Sequence, residues 1–231
     1  MARPKQSIAE QLAAAELAIN VSLSNTEIQA LLAGGGYTVE KLEEGRGLYQ
    51  TCLDALHAQK NAIGAQQEAT QKVKDIWEEA HEAYQALLGV VRLKFDEAQQ
   101  ARLGAIGATP KSTAGFLTAA GTLFENARLD DFRTVLAGAG YDTRELKSEH
   151  AKIGALALAN QQQEEAKGAA QQATQELEQA MKKLNAWMKD FRGMAKIKMR
   201  GKKQLLEKIG ILARTTPTKA QRAARAKKKQ G

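Results

Sequence analysis

The sequence predicts an all-α protein made of two tandem repeats of about 100 residues. In each repeat a long helix is expected, and the two long helices are expected to lie antiparallel as a coiled-coil-like rod, capped at each end by short helices. Two observations predict this fold. A pattern of residues recurs at a constant offset of 104 positions, and a seven-residue spacing runs through each copy. Composition agrees, since 5% of the residues are aromatic and three of 231 are proline.

The repeat is clearest around two turns and along the helices that follow them. Leu32-Ala33-Gly34 matches Leu136-Ala137-Gly138, and Gly36-Tyr37 matches Gly140-Tyr141. Further along, Leu42 matches Leu146, Gln59 matches Gln163, Gly64 matches Gly168 and Gly89 matches Gly193. We therefore expect a first repeat over residues 1–107, a second over 108–212 and a basic tail over 213–231. The two repeats are expected to pack as one domain.

The first long helix is expected to run from a cap at Thr38 to about Leu103, and the second from Asp142 to about Leu206. The middle of each seam is polar, with Gln59, Gln66, Thr70, Gln163 and Thr174 at or near seam positions. Gly64 and Gly168 leave two alternatives open. A hairpin at each glycine would give four shorter helices, whereas a continuous heptad phase favours two unbroken helices of about 90 Å, and we favour the second.

Short amphipathic helices are expected before each long helix. In the first repeat they cover residues 7–20 and a segment capped by Ser24 or Asn25, which ends at Gly34-Gly35-Gly36. In the second repeat they cover about Ser112–Phe124 and Leu129–Leu136. Five large side chains lie at or near seam positions and are predicted to be core: Trp77, Tyr84, Met181, Trp187 and Met188.

The net charge of +8 is concentrated at the carboxyl end. Fourteen of the 34 basic residues follow Asp190, against one acid, Glu207, which leaves 20 basic and 25 acidic residues before them. The tail has no large apolar side chain after Pro217 and is expected to be disordered. Its basic cluster is a candidate for nucleic-acid or anion contacts through counterion release: Lys219, Arg222, Arg225, Lys227, Lys228 and Lys229.

The sequence contains only weak motifs for metal binding or catalysis. Glu78 and His81 have the Glu-x-x-His spacing of ferritin-like metal sites, but the second copy has Lys182 and Asn185 there, so half of such a site is missing. The single cysteine, Cys52, falls on the seam and fits a reducing cytoplasm. We expect no enzymatic activity, no catalytic residues, no metal, no cofactor and no small-molecule substrate. No apolar run is long enough for a transmembrane segment.

Gly36 to Gly45, with the pattern Gly-Tyr-Thr-x-Glu-x-Leu-x-x-Gly, resembles the opening of a repeat in a group of uncharacterised bacterial two-repeat helical proteins. The Gln- and Ala-rich stretch around Gly64 and the terminal Ile209-Gly210 add to this resemblance, which covers most of residues 12–212. It implies an all-helical, duplicated fold in a bacterial protein, and the group has no assigned activity.

Three hypotheses for function follow. The first is a non-enzymatic scaffold or spacer that binds a protein partner or itself. The second is a nucleic-acid-associated protein that binds through the basic tail without reading sequence. The third, binding to a membrane surface through the same tail, is weaker because the tail lacks the Trp, Phe and Leu of interfacial helices.

Overall fold

The computed structural model describes residues 6–212, and everything below refers to that part of the chain. The tail at 213–231, with its six candidate contact residues, lies outside the described residues. Within 6–212 the chain forms helices and no strand. In order they are α1 (Ile8–Ser24), α2 (Thr26–Ala33), α3 (Val39–Lys94), α4 (Glu97–Leu103), α5 (Thr113–Asn126), α6 (Asp130–Gly138), α7 (Thr143–Lys198) and α8 (Lys203–Lys208). The all-α prediction is confirmed.

The two long helices are continuous. Both α3 and α7 contain 56 residues, and each passes without a break through the glycine at which a hairpin was an alternative, Gly64 in α3 and Gly168 in α7. The hairpin alternative is therefore wrong. A helix of 56 residues is about 84 Å long.

The long helices begin where the predicted caps lie. Thr38 directly precedes α3, and its hydroxyl accepts from the backbone N–H of Lys41 at 3.5 Å. Asp142 directly precedes α7, and its carboxylate accepts from the backbone N–H groups of Arg144 and Glu145, each at 2.8 Å. Both side chains therefore satisfy amides that have no partner within the first turn.

The predicted ends of the long helices, about Leu103 and Leu206, are wrong, because α3 ends at Lys94 and α7 at Lys198. After α3, Asp96 is extended, and its carboxylate accepts from the backbone N–H of Gln99, which starts α4 as a separate helix. After α7, Gly201 has φ +89°, which a right-handed helix does not accommodate. In both places a local conformation ends a helix that the apolar pattern alone would continue.

The helices recur in the same order along the chain. The long helix α7 begins and ends 104 positions after α3, and α6 begins 104 positions after α2. The turns before the long helices match as well: Tyr37 N–H donates to Leu32 O at 3.1 Å and Tyr141 N–H donates to Leu136 O at 2.9 Å. The glycine before each tyrosine has a positive φ, where a side chain would be strained.

The chain divides into two compact units. The first, here called the terminal unit, combines Met1–His57 with Gln175–Gly231, and the second, the central unit, is Ala58–Thr174. Each long helix therefore contributes one segment to each unit. Each unit has its own apolar core.

The core of the terminal unit is built from α1, α2, α8 and segments of α3 and α7. At its centre Trp187 stacks on Phe191, with ring centroids 5.2 Å apart, and Tyr37 meets both rings edge to face. The Trp187 ring lies against Gly45, where a Cβ atom would meet it at 2.4 Å. Gly45 therefore lets the indole ring approach α3 closely.

The core of the central unit is built on α5, α6 and segments of α3 and α7. Phe116 of α5 is fully buried and meets Trp77 at 4.6 Å and Tyr84 at 5.4 Å between ring centroids. Phe95 and Phe132 make a second edge-to-face pair at 5.5 Å. The five predicted core residues on the seams are confirmed, since four of them are buried and Trp77 is half-buried.

No helix within residues 6–212 is both long enough and apolar enough to cross a membrane. The long helices fail on hydropathy and not on length, because charged and amide side chains recur along them. Their buried apolar side chains belong to the two cores.

The continuity of α3 and α7 predicts that Gly64→Ala and Gly168→Ala each stabilise the protein by about 0.5–1 kcal/mol, because alanine is the better helix former. An added Cβ at either position meets nothing within 4 Å. Urea unfolding followed by helical circular dichroism measures the change. Gly36→Ala, at φ +83°, is the control and should destabilise. Destabilisation by Gly64→Ala would indicate a turn at that position.

Candidate functional site

Two reciprocal hydrogen bonds join α3 and α7 across the polar middle of the seam, inside the central unit. Gln59 Nε2 of α3 donates to Thr174 Oγ1 of α7 at 3.1 Å, and Gln163 Nε2 of α7 donates to Thr70 Oγ1 of α3 at 3.1 Å. Gln163 and Thr174 lie 104 positions after Gln59 and Thr70, so the same bond is made twice with the helices exchanged. The pairing shows that the two helices are antiparallel here.

Each threonine hydroxyl also fixes the direction of its bond. Thr70 donates its proton to the carbonyl of Gln66 at 2.8 Å, and Thr174 donates its proton to the carbonyl of Ala170 at 2.9 Å. A hydroxyl has one proton, so each threonine can only accept from the glutamine amide. The two glutamines and two threonines are half-buried, and a buried amide without a partner costs about 1–3 kcal/mol.

Two residues that the sequence raised as possible reactive or metal-binding groups, Cys52 and His81, pack against other side chains. Cys52 is buried, and burial raises the pKa of its thiol, which opposes thiolate formation. His81 stacks on Trp77 and lies against Phe116 at the edge of the central core. Among residues 6–212 no three His, Cys, Asp or Glu side chains are grouped so as to hold a metal ion.

The contacts of His150 favour the neutral form of its imidazole. Its ring stacks on Phe124 at 5.7 Å, and Arg128 Nη2 lies 2.9 Å from His150 Nδ1. Because a guanidinium only donates, Nδ1 must accept, and the imidazole proton is on Nε2. Burial lowers the pKa of His150, the Arg128 charge lowers it further and Glu125 opposes both.

Two equivalent surface features, here called the tips, lie at the ends of the long helices. The first tip is Arg92-Leu93-Lys94 in the central unit and the second is Lys196-Ile197-Lys198 in the terminal unit. All six side chains are exposed, Leu93 by 79% and Ile197 by 66%. Each tip therefore presents an aliphatic side chain between two cations.

A third feature, here called the basic stripe, consists of Lys182, Lys189, Arg192 and Lys196 on α7. At 100° per residue these four positions fall within about 80° of arc, over about 21 Å of helix. None of the four takes part in an ion pair within the described part of the chain. Two acids of α7 lie nearby: Asp190 is about 100° around the helix from Lys189, and Glu178 precedes the stripe by one turn.

The sequence located part of this arrangement. It placed the glutamines and threonines of both bonds at or near seam positions. It did not pair either glutamine with a threonine of the other long helix, and it missed Lys182 and Lys189 as members of one stripe. Helical spacing of seven, three and four residues is the signal that would have found the stripe.

Comparisons with models of protein families, with curated proteins and with solved structures found no match. The resemblance to bacterial two-repeat helical proteins therefore stays a prediction. The side chains of the tips and of the basic stripe are exposed except for half-buried Arg192, and among the tip cations Arg92 donates to the carbonyl of Gly107 at 2.8 Å.

The two Gln–Thr bonds predict energetic coupling between positions 115 residues apart in one pair and 93 apart in the other. A double-mutant cycle with Gln59→Leu and Thr174→Val should give a coupling free energy of unfolding of about 0.5–1.5 kcal/mol. The cycle on Gln163 and Thr70 should give a similar value. Gln59 and Thr70 lie about 16 Å apart along α3, and their control cycle should be additive. Additivity in all three cycles would contradict the bonds.

The lowered pKa of His150 predicts that part of the free energy of unfolding depends on pH. Since the folded state lowers the pKa from its ordinary 6.5, this contribution is complete above about pH 6.5 and is lost as the pH falls through the lower folded-state pKa. His150→Gln keeps an acceptor for Arg128 but does not titrate, so its free energy of unfolding should fall less between pH 7 and 5 than that of the parent. Urea unfolding at each pH measures this. His57→Gln controls for the loss of one imidazole, and equal slopes for parent and His150→Gln would contradict the assignment.

Proposed function

We propose that this protein is a non-enzymatic scaffold or spacer, built from a duplicated helical unit, that binds protein partners at its tips. The observation that carries the proposal is the pair of continuous 56-residue helices, each of which contributes to two separate apolar cores. Along α3 no side chain between Cys52 and Val73 is buried. That stretch of helix joins the two cores without adding a buried side chain to either of them.

The recurrence of helix bounds and of the Gln–Thr bonds at 104 positions supports the duplication. A duplicated unit carries its surface features twice, and the tips are such a feature. An exposed aliphatic side chain flanked by cations suits a partner that offers an apolar contact with acidic neighbours. Two equivalent tips make the protein bivalent toward that partner, which is what a spacer requires.

A second candidate function is sequence-independent association with nucleic acid. The six basic residues of the tail support it through composition, and the basic stripe supports it through geometry. Duplex DNA carries one phosphate per about 3.4 Å of each strand, and cations that meet those phosphates release condensed counterions. Nuclease treatment separates this function from the scaffold function.

The scaffold proposal predicts that Leu93→Gln and Ile197→Gln each lower the amount of partner captured by the immobilised full-length protein by about half, because each removes one of two sites. The double variant should capture almost none. Quantitative mass spectrometry of lysate from cells that make this protein, with and without nuclease, measures capture. Leu158→Gln, which changes an exposed leucine away from the tips, is the matched control.

Capture that survives the double variant would contradict the assignment to the tips. Capture that disappears on nuclease treatment would reject the scaffold proposal and favour the nucleic-acid function. Sedimentation of the same variants detects the case in which the partner is a second copy of this chain. In that case the double variant should be monomeric at concentrations where the parent associates.

A further inference from the structure

The terminal unit has an open groove beside the basic stripe. The groove has a volume of about 360 Å³ and is lined by Gln6, Gln11, Asn185, Met188 and Arg192. Asn185 Nδ2 donates to Gln11 Oε1 at 2.7 Å, and Gln11 Nε2 donates to the carbonyl of Gln6 at 2.8 Å, so the amides hold each other in place. Arg192 belongs to both the groove and the stripe, so the groove and the four cations form one continuous surface.

Aromatic side chains occupy matching positions in the central unit. The ring of Phe116 lies 4.6 Å from that of Trp77 and 5.4 Å from that of Tyr84, between centroids. In the terminal unit the residues 104 positions away from these three have no aromatic ring: Leu12, Met181 and Met188. Of these three, Met188 lines the groove, and its counterpart in the central unit is Tyr84.

The net charge also differs between the stripe positions of α7 and the matching positions of α3. The positions that carry the four cations of the stripe in α7 carry Glu78, Gln85, Leu88 and Arg92 in α3, with no net charge. Packing of a long helix therefore does not require cations at these positions. Glu10 of α1, the acid next to the groove in sequence, is engaged by its own helix cap, where it accepts from the backbone N–H of Ser7 at 2.8 Å.

We propose that the stripe and groove are a binding face for the phosphate backbone of duplex nucleic acid. Four cations on one helix face, without an ion-pair partner among residues 6–212, match a linear and regularly charged polyanion. The guanidinium of Arg192 offers a phosphate in the groove a bidentate contact. The arc of the stripe holds no exposed apolar side chain, which a membrane-lying helix would need, and no aromatic ring on which a single strand would stack.

This inference deepens the second candidate function, on which it rests, and places binding on the folded body as well as on the tail. The face reads no base edges, so binding is independent of sequence. Each cation that meets a phosphate contributes about 0.9 to the slope of log affinity against log salt, which gives about 3.6 for the four. Between 50 and 200 mM salt that slope is a loss of affinity of roughly 100-fold.

The test compares full-length chains by fluorescence anisotropy with a random-sequence DNA duplex over this salt range. One variant replaces the six tail cations with glutamine, and a second replaces the four stripe cations with glutamine. The matched control replaces four other exposed lysines with glutamine and so carries the same total charge as the stripe variant: Lys60, Lys74, Lys147 and Lys183. The tail variant should keep a slope of about 3.6, the stripe variant should lose that amount from the parent slope, and the control should resemble the parent.

A single substitution tests the groove. Asn185→Asp places a carboxylate beside Arg192 at constant size and should lower affinity about tenfold, since it competes with phosphate for the guanidinium. Asn20→Asp, an exposed position on α1, makes the same change of charge away from the groove and should change affinity less. Equal effects of the two substitutions would overturn the role of the groove. Circular dichroism of every variant confirms that the helices remain folded.

The outcomes separate this inference from the tail hypothesis. A stripe variant that binds like the parent, with a tail variant that does not bind, overturns the inference and leaves the tail as the binding segment. Loss of binding in the stripe variant alone supports the inference and rejects the tail, and reduced slopes in both variants support both surfaces. Absence of binding by the parent at 50 mM salt rejects both, and binding of the parent only to vesicles of anionic phospholipid overturns the inference in favour of a membrane surface.

Discussion

Two hydrogen bonds between glutamine amides and threonine hydroxyls set the register of α3 against α7 in the central unit. Gln59 bonds Thr174, and Gln163 bonds Thr70. Both pairs satisfy the same antiparallel relation, so sliding either helix by one turn would break both bonds together. Amides that leave water must keep hydrogen-bond partners, and this requirement selects one register among those that an alanine-rich seam would otherwise allow.

The two units show that similar helical frames support different surfaces. In the central unit Phe116 packs against Trp77 and Tyr84. In the terminal unit Met188 lines an open groove, and four cations of α7 occupy positions whose equivalents 104 residues earlier in α3 carry no net charge. The apolar cores and the glycine turns maintain the helices of both units, so the exposed positions are free to differ.

Much of the fold could be predicted because it depends on local properties of the chain. A seven-residue spacing that continues through Gly64 predicts an unbroken helix, since one glycine costs only about 1 kcal/mol against many favourable turns. The glycine turn at Gly36 could also be predicted, because its positive φ is a local requirement that glycine meets without strain. The ends at Lys94 and Lys198 could not, because a cap at Asp96 and a left-handed residue at Gly201 compete locally with a pattern that continues past them.

The sequence by itself determined the all-helical class, the continuity of the long helices, the seam residues that become core and the polar middle of the seam. Only the tertiary structure decided which partners the central glutamines take, which distant segments form each compact unit and where a groove stays open. Asn185 meets Gln11 across 174 positions of sequence. Periodicity is set by neighbours along one helix, whereas such a contact is set by how side chains of different sizes fill the space between helices.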